Sequence, residues 1–466
     1  MSKPVPVPFS EPPWLMGLPS AYYNHSHKKW QKTCRALVDR LLMPEGGEWE
    51  RAGDVPLDLY SKFADANFLI PNLSSPLPVK WLHKVGIKEL PGGLKVEDFD
   101  YLHTLIYTDE MARVGSLGPT GAITTGIAFG VPPILKFGSH ELQEKFIPDL
   151  LLGKKRICIA ITEPEAGSDV SNIATTATRS KDGKHFIVNG TKKWITNGLW
   201  SHYASMAVRT GGPGPGGLSM LVVPLLSTPG VSMRRIRVGG QTAAGTTFIE
   251  LDDVKVPVEN LIGQEGMGMK YGKTKLHNLG NPSLFLASFL SSCPVYMLDV
   301  KLNLPVMQNF NHERLTIAIS VNRLSRVALS SAFAYCLKRE AFSKTLMDQP
   351  VVRHRLAKCG ADLEAHWAWI ENYTYMMTKM SEEDASRELG GLTALAKAQA
   401  GRVIETCAST AMLLFGGNGE VPGARIPGGS EDVMLDLAVR QLVKNFQRKT
   451  KELETEIEGP AGSSKL

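Results

Sequence analysis

The sequence predicts an α+β protein of several domains, in which a β-rich segment lies between two helical segments. Its 466 residues are enough for about three domains of ~150 residues each. Apolar residues recur at three- and four-residue spacing from about residue 28 to residue 152 and again after residue 313, which is typical of amphipathic helices. Between these stretches the apolar period shortens to that of strands, and clusters of Gly, Asp and Pro interrupt it.

These patterns predict four consecutive segments. We expect a helical domain over residues 1–152, a β-domain over residues 153–268, an atypical segment over residues 269–308 and a second helical domain over residues 309–466. Runs such as WQKTCRALVDRLL and DLYSKFADANFLI carry the helical period of the first domain. In the last domain, apolar residues from Ile317 to Tyr335 lie on one face of a long predicted helix.

Five short runs indicate the β-domain, namely RICIAIT, KHFIVNG, YASMAVR, LSMLVVP and TTFIELDDVKV. The segment is too short for a series of alternating strands and helices. The chain also contains neither GxGxxG after a strand nor GxxxxGK[ST], which disfavours nicotinamide and nucleoside-triphosphate sites. A β-domain between helical domains favours a cofactor held where domains meet.

Composition excludes several classes of partner. Lys and Arg number 52 against 46 Asp and Glu, and the net charge of +6 is thinly spread, so we expect no nucleic-acid partner. The longest apolar stretch, residues 284–300, is broken by Ser, Pro and Asp and is too short to span a membrane. The six cysteines are scattered singly without metal-ligand spacing, so the sequence predicts no metal site and a reducing compartment.

The sequence ends in Ser464, Lys465 and Leu466 after a segment of small residues. A C-terminal SKL is the form that the peroxisomal import receptor reads. We therefore expect this receptor as a partner and the peroxisome as the location.

Three separated motifs lie in the predicted β-domain and the last helical domain. They are IAITEPEAGSDVSNI over residues 159–173, NGTKKWITNG over residues 189–198 and LLFGGNG over residues 413–419. Their order and spacing resemble the acyl-CoA dehydrogenase family, with its TEPxAGSD, WIT and FGGxG segments. The resemblance covers nearly the whole chain and is closest to fungal members. It implies a helical N-terminal domain, a β-barrel-like middle domain and a C-terminal four-helix bundle.

The resemblance also implies FAD as the cofactor. A strand that ends at Thr162 and breaks at Pro164 and Gly167 exposes N–H and hydroxyl donors of the kind that a flavin ring and a pyrophosphate require. Trp194 supplies a flat apolar wall, and the Thr196 hydroxyl is placed to reach the flavin. Carried over position by position, the family's cofactor contacts are Ile159, Ala160, Ile161, Thr162, Ser168, Trp194, Ile195, Thr196, Arg339, Gln349, Phe415, Gly416, Gly417, Gly429, Ser430 and Glu431.

The family's reaction needs a carboxylate that removes the α-proton of an acyl thioester. Many members carry it in a YEGTS segment, but the matching stretch here is RIPGGSED, in which Pro427 replaces the glutamate. The long-chain and isovaleryl branch places the base on the helix after the β-domain, and in NFNHERLTIA the matching residue is Glu313. By the same resemblance, Asn311, Arg314 and Ser168 contact the acyl-CoA.

Arg339 in LKREAFSKTL resembles the RxxFG segment, which reaches the FAD pyrophosphate of a neighbouring subunit. The planar guanidinium fork suits a pyrophosphate because it can bind two oxygens. Ser343 stands where the family has Gly. This reading requires an oligomer, and the resemblance implies a homodimer or a homotetramer.

Two departures from the family pattern stand out. Residues 272–306 form an apolar insertion without a clean period, and about 13 residues of the family pattern are missing between Gly419 and Pro427. Both changes lie at sharp edges between well-matched blocks. Our hypothesis is that the insertion is translated intron sequence and the deletion a misplaced splice boundary.

The sequence therefore predicts an FAD-dependent enzyme that converts an acyl-CoA to the trans-2-enoyl-CoA in the peroxisome. The expected route is fatty-acid β-oxidation or the tailoring of an acyl chain for a fungal secondary metabolite. Two alternatives remain open at this point. One is an acyl-CoA oxidase-like activity with oxygen as acceptor, and the other is a non-catalytic protein that retains only flavin or acyl-CoA binding.

Overall fold

The computed structural model describes residues 6–268, 310–419 and 431–457. The predicted insertion, Gly429, Ser430 and the C-terminal tripeptide lie outside the described residues. The chain forms two compact units, of which the smaller contains the described residues of Met1–Leu18, Ser325–Ala365 and Gly401–Leu466. The larger unit contains those of Pro19–Leu324 and His366–Ala400.

The first part of the larger unit is helical. Its helices are α1 (His25–Leu41), α2 (Gly46–Ala52), α3 (Leu59–Asp65), α4 (Val79–Lys84), α5 (Tyr101–Met111), α6 (Leu117–Gly130), α7 (Pro132–Phe137) and α8 (His140–Leu151), with the small hairpin β1 (Glu89–Leu90) and β2 (Leu94–Lys95) between α4 and α5. Helix α1 is amphipathic and buries Trp30, Cys34 and Val38 at helical spacing. Helix α5 is buried along most of its length and therefore lies in the interior of this unit.

Asparagine and aspartate start two of these helices through the same local pattern. Asn24 precedes α1, and its Oδ1 accepts a hydrogen bond from the N–H of His27 at 3.1 Å, while Nδ1 of His27 accepts one from the Asn24 N–H at 3.1 Å. Asp100 and His103 repeat the reciprocal pair at the start of α5. Each pair satisfies donors that the first turn of a helix leaves open.

A mixed sheet of eight strands follows. Its strands are β3 (Ile157–Ala160), β4 (Thr176–Arg179), β5 (His185–Ile195), β6 (Tyr203–Arg209), β7 (Leu218–Pro224), β8 (Val231–Arg235), β9 (Thr247–Pro257) and β10 (Leu261–Ile262). The strand order is β10-β7-β6-β4-β5-β9-β8, and β3 pairs in parallel with β6. Strand β3 pairs with β6 from Tyr203 onward and β4 joins β6 at Arg209, so residues 161–175 leave the sheet and return to the same neighbouring strand.

Alternation along the strands builds the core of this sheet. In β5, Phe186 and Val188 are buried whereas Ile187 between them is half-buried, and β6 is buried through most of its length. Each fully buried Val, Leu, Ile or Phe contributes roughly 1.5–3 kcal/mol. The core cluster joins these residues to Cys158 and Ala160 of β3 and to apolar residues of β7 and β9.

Long helices dominate the rest of the chain. They are α9 (Phe310–Lys338), α10 (Pro350–Lys379), α11 (Glu382–Glu388), α12 (Gly390–Phe415) and α13 (Glu431–Ile457), with the hairpin β11 (Glu340–Ala341) and β12 (Lys344–Thr345) after α9. In the smaller unit, one cluster packs Leu329 and Ala332 of α9 against Leu356 of α10 and Val403 of α12.

The predicted order of helical, β and helical segments is confirmed. Among the described residues, no helix combines the length and the apolar character that a membrane crossing requires.

Candidate active site

A cavity of about 640 Å³ lies within the larger unit, and we call it the main cavity. Helices α5, α6 and α9 line it on one side, and β3, the loop after it and the end of β5 line it on the other. Glu313, Thr162 and Trp194 all contribute to its lining. The structure therefore brings the predicted base and two of the predicted cofactor-binding segments to one space.

The TEPEAGSD segment forms the excursion between β3 and β4. Its turn is closed by the N–H of Glu163, which donates to the Ala166 carbonyl at 3.1 Å, and by a reciprocal bond from Ala166 at 3.3 Å. The buried Glu163 carboxylate accepts hydrogen bonds from the N–H groups of Ala174 at 2.7 Å and Thr175 at 3.0 Å. One carboxylate thus fixes both ends of the loop.

A buried lysine ties this loop to β5. The Lys192 ammonium donates to the Glu163 carboxylate at 2.7 Å and to the Ile161 carbonyl at 3.0 Å. Burial raises the pKa of Glu163, but the Lys192 charge and the hydrogen bonds outweigh it and hold this pKa below its usual range. Burial lowers the pKa of Lys192 to about 8, although the charge of Glu163 opposes the shift.

The predicted contacts in this loop differ in their placement. Ile159, Ile161 and Thr162 line the main cavity. The Ala160 side chain is buried in the β-domain core, because alternation along β3 turns it away from its neighbours. The Ser168 side chain is exposed and is not part of the cavity lining. The predicted cofactor contacts of Ala160 and Ser168 would therefore have to come from their main-chain groups.

Trp194 has an unusual backbone. Its φ is +64°, in the left-handed region, at a register shift of β5 between Lys192 and Ile195. The bulge leaves the indole half exposed and places Trp194, Ile195 and Thr196 in the cavity lining. Strain of this kind at a cavity costs of order 1–3 kcal/mol and persists only where its surroundings fix it.

The residues on this side of the main cavity fit a flavin. The hydroxyls of Thr162 and Thr196 have no hydrogen-bond partner within the described part of the chain, and both residues line the cavity. They lie beside the flat Trp194 ring, and together they offer the polar groups and the apolar surface that an isoalloxazine ring needs.

Asn197, directly after this segment, is a residue that the sequence patterns did not single out. It is buried, has a φ of +66°, and its side chain bonds to helix α6 through the Gly126 N–H and the Gly121 carbonyl, both at 2.8 Å. Its amide also donates to the Ala244 carbonyl at 3.1 Å. The only sequence signal was its position next to the WIT motif.

Glu313 lies in the first turn of α9 and lines the main cavity. Burial raises the pKa of its carboxyl, and the positive charges of Arg314 and Lys397 act in the opposite direction. Lys397 of α12 lines the same cavity, whereas the Arg314 guanidinium donates to the Gly390 carbonyl at 3.2 Å. A carboxyl pKa raised towards the working pH suits a general base, and the nearby positive charges favour its ionised form.

The predicted acyl-CoA contacts beside Glu313, Asn311 and Arg314, do not line the main cavity. Asn311 donates to the Ala385 carbonyl and accepts from the Thr393 hydroxyl, each at 2.9 Å, and it lines a smaller cavity of about 200 Å³. His312 lines both cavities, and burial lowers its pKa to about 4, so it is neutral at pH 7. Arg314 contributes to the lining of neither cavity.

The remaining predicted cofactor contacts belong to the smaller unit. Arg339 follows α9, and its carbonyl accepts the Leu346 N–H at 2.7 Å across the β11–β12 hairpin. The predicted contacts nearby are Gln349, directly before α10, Phe415, at the end of α12, and Gly416 and Gly417 after it. Glu431 is the first residue of α13.

One cluster of potential metal ligands occurs in the described residues, formed by His27, Asp100 and His103. Nδ1 of His27 accepts the Asn24 N–H, so its proton lies on Nε2 and is directed at Asp100 at 3.1 Å. These hydrogen bonds give the cluster a structural role, because the Asp100 carboxylate joins the start of α1 to the start of α5.

Comparison with known proteins gives a consistent result over the chain. Models of the acyl-CoA dehydrogenase N-terminal, middle and C-terminal domains match residues 24–154, 158–254 and 305–443. The acyl-CoA dehydrogenase apdG of Emericella nidulans is 59% identical over 462 residues, covering 96% of this chain and 98% of that protein. The acyl-CoA dehydrogenase AFT10-1 of Alternaria alternata is 33% identical, covering 95% of this chain and 97% of that protein. The crystal structure of an acyl-CoA dehydrogenase from Geobacillus kaustophilus is 25% identical and superposes with a TM-score of 0.68, covering 91% of this chain and all of that one.

Proposed function

The chain belongs to the acyl-CoA dehydrogenase family, and on this premise we propose that Glu313 is the base that removes the α-proton of its acyl-CoA substrate. The enzyme is an FAD-dependent oxidoreductase acting on CH–CH bonds. One observation carries the assignment. Glu313 lines the same cavity as Thr162, Trp194 and Thr196, the residues proposed to contact the flavin.

Glu313 is suited to proton abstraction by its surroundings. Removing water from the carboxylate raises its pKa, which strengthens it as a base, and the Lys397 and Arg314 charges keep it ionised. An acyl chain in the cavity would remove the remaining water and reinforce the shift. The cavity then holds the carboxylate and the thioester close together, so proton transfer between them does not require a bimolecular encounter.

FAD, when bound, supplies the acceptor for the hydride that leaves Cβ as the double bond forms. Of the protein's own groups, the hydroxyls of Thr162 and Thr196 would donate to the ring, and Trp194 would cover it. The Glu163–Lys192 pair would hold the loop that carries Thr162 in place. Glu313 then retains the α-proton on its carboxylate until product leaves.

The test is an anaerobic titration of the FAD-loaded protein with straight-chain acyl-CoAs of increasing length. We expect the visible absorbance of oxidised flavin to bleach in the native protein and not in Glu313→Gln. Glu388→Gln is the matched control, because Glu388 is exposed and pairs only with the neighbouring Arg387 among the described residues. Equal bleaching by Glu313→Gln and the control would refute the assignment of the base.

The same titration tests the electron acceptor. We propose that reduced enzyme passes its electrons to a carrier protein, as the dehydrogenase assignment implies. Admitting oxygen to the bleached protein should restore the flavin colour slowly and yield little hydrogen peroxide. Rapid recovery with stoichiometric peroxide would instead establish the oxidase activity.

We propose a peroxisomal location and a role in β-oxidation or in tailoring an acyl chain of a fungal secondary metabolite. The C-terminal Ser464, Lys465 and Leu466 support the location, and the identity to fungal dehydrogenases supports the role. A fluorescent protein followed by the last residues of this chain should enter peroxisomes, and the same fusion without Leu466 should stay outside. Import of both fusions, or of neither, would refute the signal.

Helix α13 supports the proposal of a homodimer or homotetramer. Val439, Leu442, Val443, Phe446 and Leu453 recur on it at helical spacing and are exposed, with Phe446 71% exposed. Apolar residues in such a stripe are typical of subunit contacts. Sedimentation should show a smaller species for Leu442→Glu combined with Phe446→Glu than for the matched polar change Lys444→Glu. An unchanged assembly in the double variant would exclude α13 from the interface.

A further inference from the structure

The helical side of the main cavity carries hydroxyl groups that the proposed reaction does not use. Helices α5, α6 and α9 contribute Thr and Ser side chains to the lining. Three of their hydroxyls bond to carbonyls of their own helix, since Thr120 donates to Leu117 at 3.2 Å, Thr124 to Thr120 at 3.0 Å and Thr316 to His312 at 2.9 Å. These three have their hydrogen bonds satisfied without a ligand.

Thr108 of α5 and Ser320 of α9 are different. Each lines the cavity and is half-buried, and neither hydroxyl has a hydrogen-bond partner among the residues that the structure describes. Thr125 of α6 is a third hydroxyl of this kind. On the opposite side of the cavity, Thr162 and Thr196 have the same property, and we proposed that their hydroxyls bind the flavin.

Contacts between α5 and α9 place Thr108 and Ser320 at the same level. The rings of Tyr101 and His312 meet near the starts of the two helices, with centroids 5.9 Å apart. Further along both, the buried Asp109 carboxylate accepts a hydrogen bond from Nε of Arg323 at 2.8 Å. The helices therefore run in the same direction. Thr108 directly precedes Asp109, and Ser320 lies one turn before Arg323.

This pair of hydroxyls stands well beyond the reacting carbons. Ser320 follows Glu313 by two helical turns, which is about 10 Å along the axis. A purely hydrocarbon chain that filled this part of the cavity would strip water from both hydroxyls and leave them unpaired, which is costly. A chain with an oxygen function at this depth would replace the lost water.

We propose that the acyl group carries a neutral oxygen substituent, hydroxyl or oxo, several carbons beyond Cβ, and that Thr108 and Ser320 bind it. A carboxylate substituent is disfavoured because the two hydroxyls carry no positive charge that would compensate for its desolvation. The inference rests on the proposed function, since it places the thioester end of the substrate at Glu313.

The test compares decanoyl-CoA with decanoyl-CoAs that bear one hydroxyl or one oxo group at successive carbons from the fifth to the tenth. We expect kcat/KM to rise at one or two adjacent positions by about tenfold for each hydrogen bond gained. Thr108→Val combined with Ser320→Ala should reduce that preference to near unity. The hydroxyl and oxo series show whether the subsite favours a donor or an acceptor.

Thr124→Val is the matched control, because it removes a hydroxyl from the same cavity that already bonds to its own helix. It should keep the preference. Equal kcat/KM for all substrates, or a preference that survives the double variant, would overturn the inference while leaving the proposed dehydrogenation intact. Failure of every acyl-CoA to bleach the flavin would refute the proposed function and this inference together.

Discussion

The main-chain N–H of Gly126 donates a hydrogen bond of 2.8 Å to Oδ1 of Asn197, which joins the middle of helix α6 to the turn after Thr196. Only glycine fits at position 126, because a Cβ there would come within 2.2 Å of the Ile157 carbonyl oxygen. The side chain of Asn197 thus joins two elements that line the main cavity, the segment from Trp194 to Thr196 and helix α6.

We expect Asn197→Ala to lower the free energy of unfolding by about 3 kcal/mol, since it removes the three hydrogen bonds of a buried side chain and puts alanine in the left-handed region. FAD affinity should fall as well, because Thr196 is adjacent. Urea unfolding and flavin titration measure both effects. Asn189→Ala, which removes two exposed hydrogen bonds with Asp253, should cost less than about 1 kcal/mol. Similar losses in the two variants would contradict the role of Asn197.

The buried Glu163–Lys192 pair gives a second prediction. Lys192→Met should destabilise the protein by about 3–5 kcal/mol, because it leaves a buried carboxylate without its cation. Glu163→Gln combined with Lys192→Met should recover part of this loss. Lys62→Met is the control, since Lys62 forms an exposed pair with Asp58 and should matter by less than about 0.5 kcal/mol.

The penalty of Lys192→Met should shrink as the pH falls. In the native protein, the lowered pKa of Glu163 contributes to the free energy of unfolding. This contribution is present at pH values above the ordinary carboxyl pKa and is lost as the pH falls and Glu163 becomes protonated. In the variant, burial without the cation raises that pKa, so protonation relieves the unpaired charge at a higher pH. A penalty that grows with acidity would show that the pair does not act through charge.

Lys397 provides a prediction about pH and rate. The charged groups that act on Glu313 are Lys397 and Arg314, both of which lower its pKa, while His312 beside it stays neutral. Removing one cation in Lys397→Met should raise the pKa of Glu313 further and move the rising limb of kcat/KM to higher pH. Lys397→Arg should restore the native profile. A change in maximal rate with no shift of the limb would indicate a steric role instead.

The sequence predicted the order of the helical and β segments. It also predicted several residues that line the main cavity, and these lie within short contiguous motifs. It assigned Ile159, Ala160 and Ile161 alike as cofactor contacts, although alternation along β3 turns Ala160 into the core. It did not find Asn197, whose partners Gly121 and Gly126 are far away in the sequence, or Lys397, which reaches the cavity from another helix. Such pairings depend on helix packing, which a local pattern does not contain.

The β11–β12 hairpin makes a prediction from backbone strain. Its two-residue turn places Phe342 and Ser343 at φ values of +55° and +62°, where side chains cost roughly 1–2 kcal/mol relative to glycine. Ser343 is exposed and, within the described residues, makes no side-chain hydrogen bond that a substitution would lose. Ser343→Gly should therefore raise the free energy of unfolding by about 1 kcal/mol, measured by urea denaturation of the FAD-loaded protein.

The matched control is Ser381→Gly, at the start of α11. The Ser381 hydroxyl accepts the Asp384 N–H at 3.1 Å, and its φ is −65°, so glycine loses a cap and relieves no strain. This change should lower stability by a few tenths of a kcal/mol. The opposite signs separate turn geometry from any general effect of glycine, because flexibility gained in the unfolded chain is common to both variants. Destabilisation by Ser343→Gly of the same size as in the control would mean that the turn is not strained in solution.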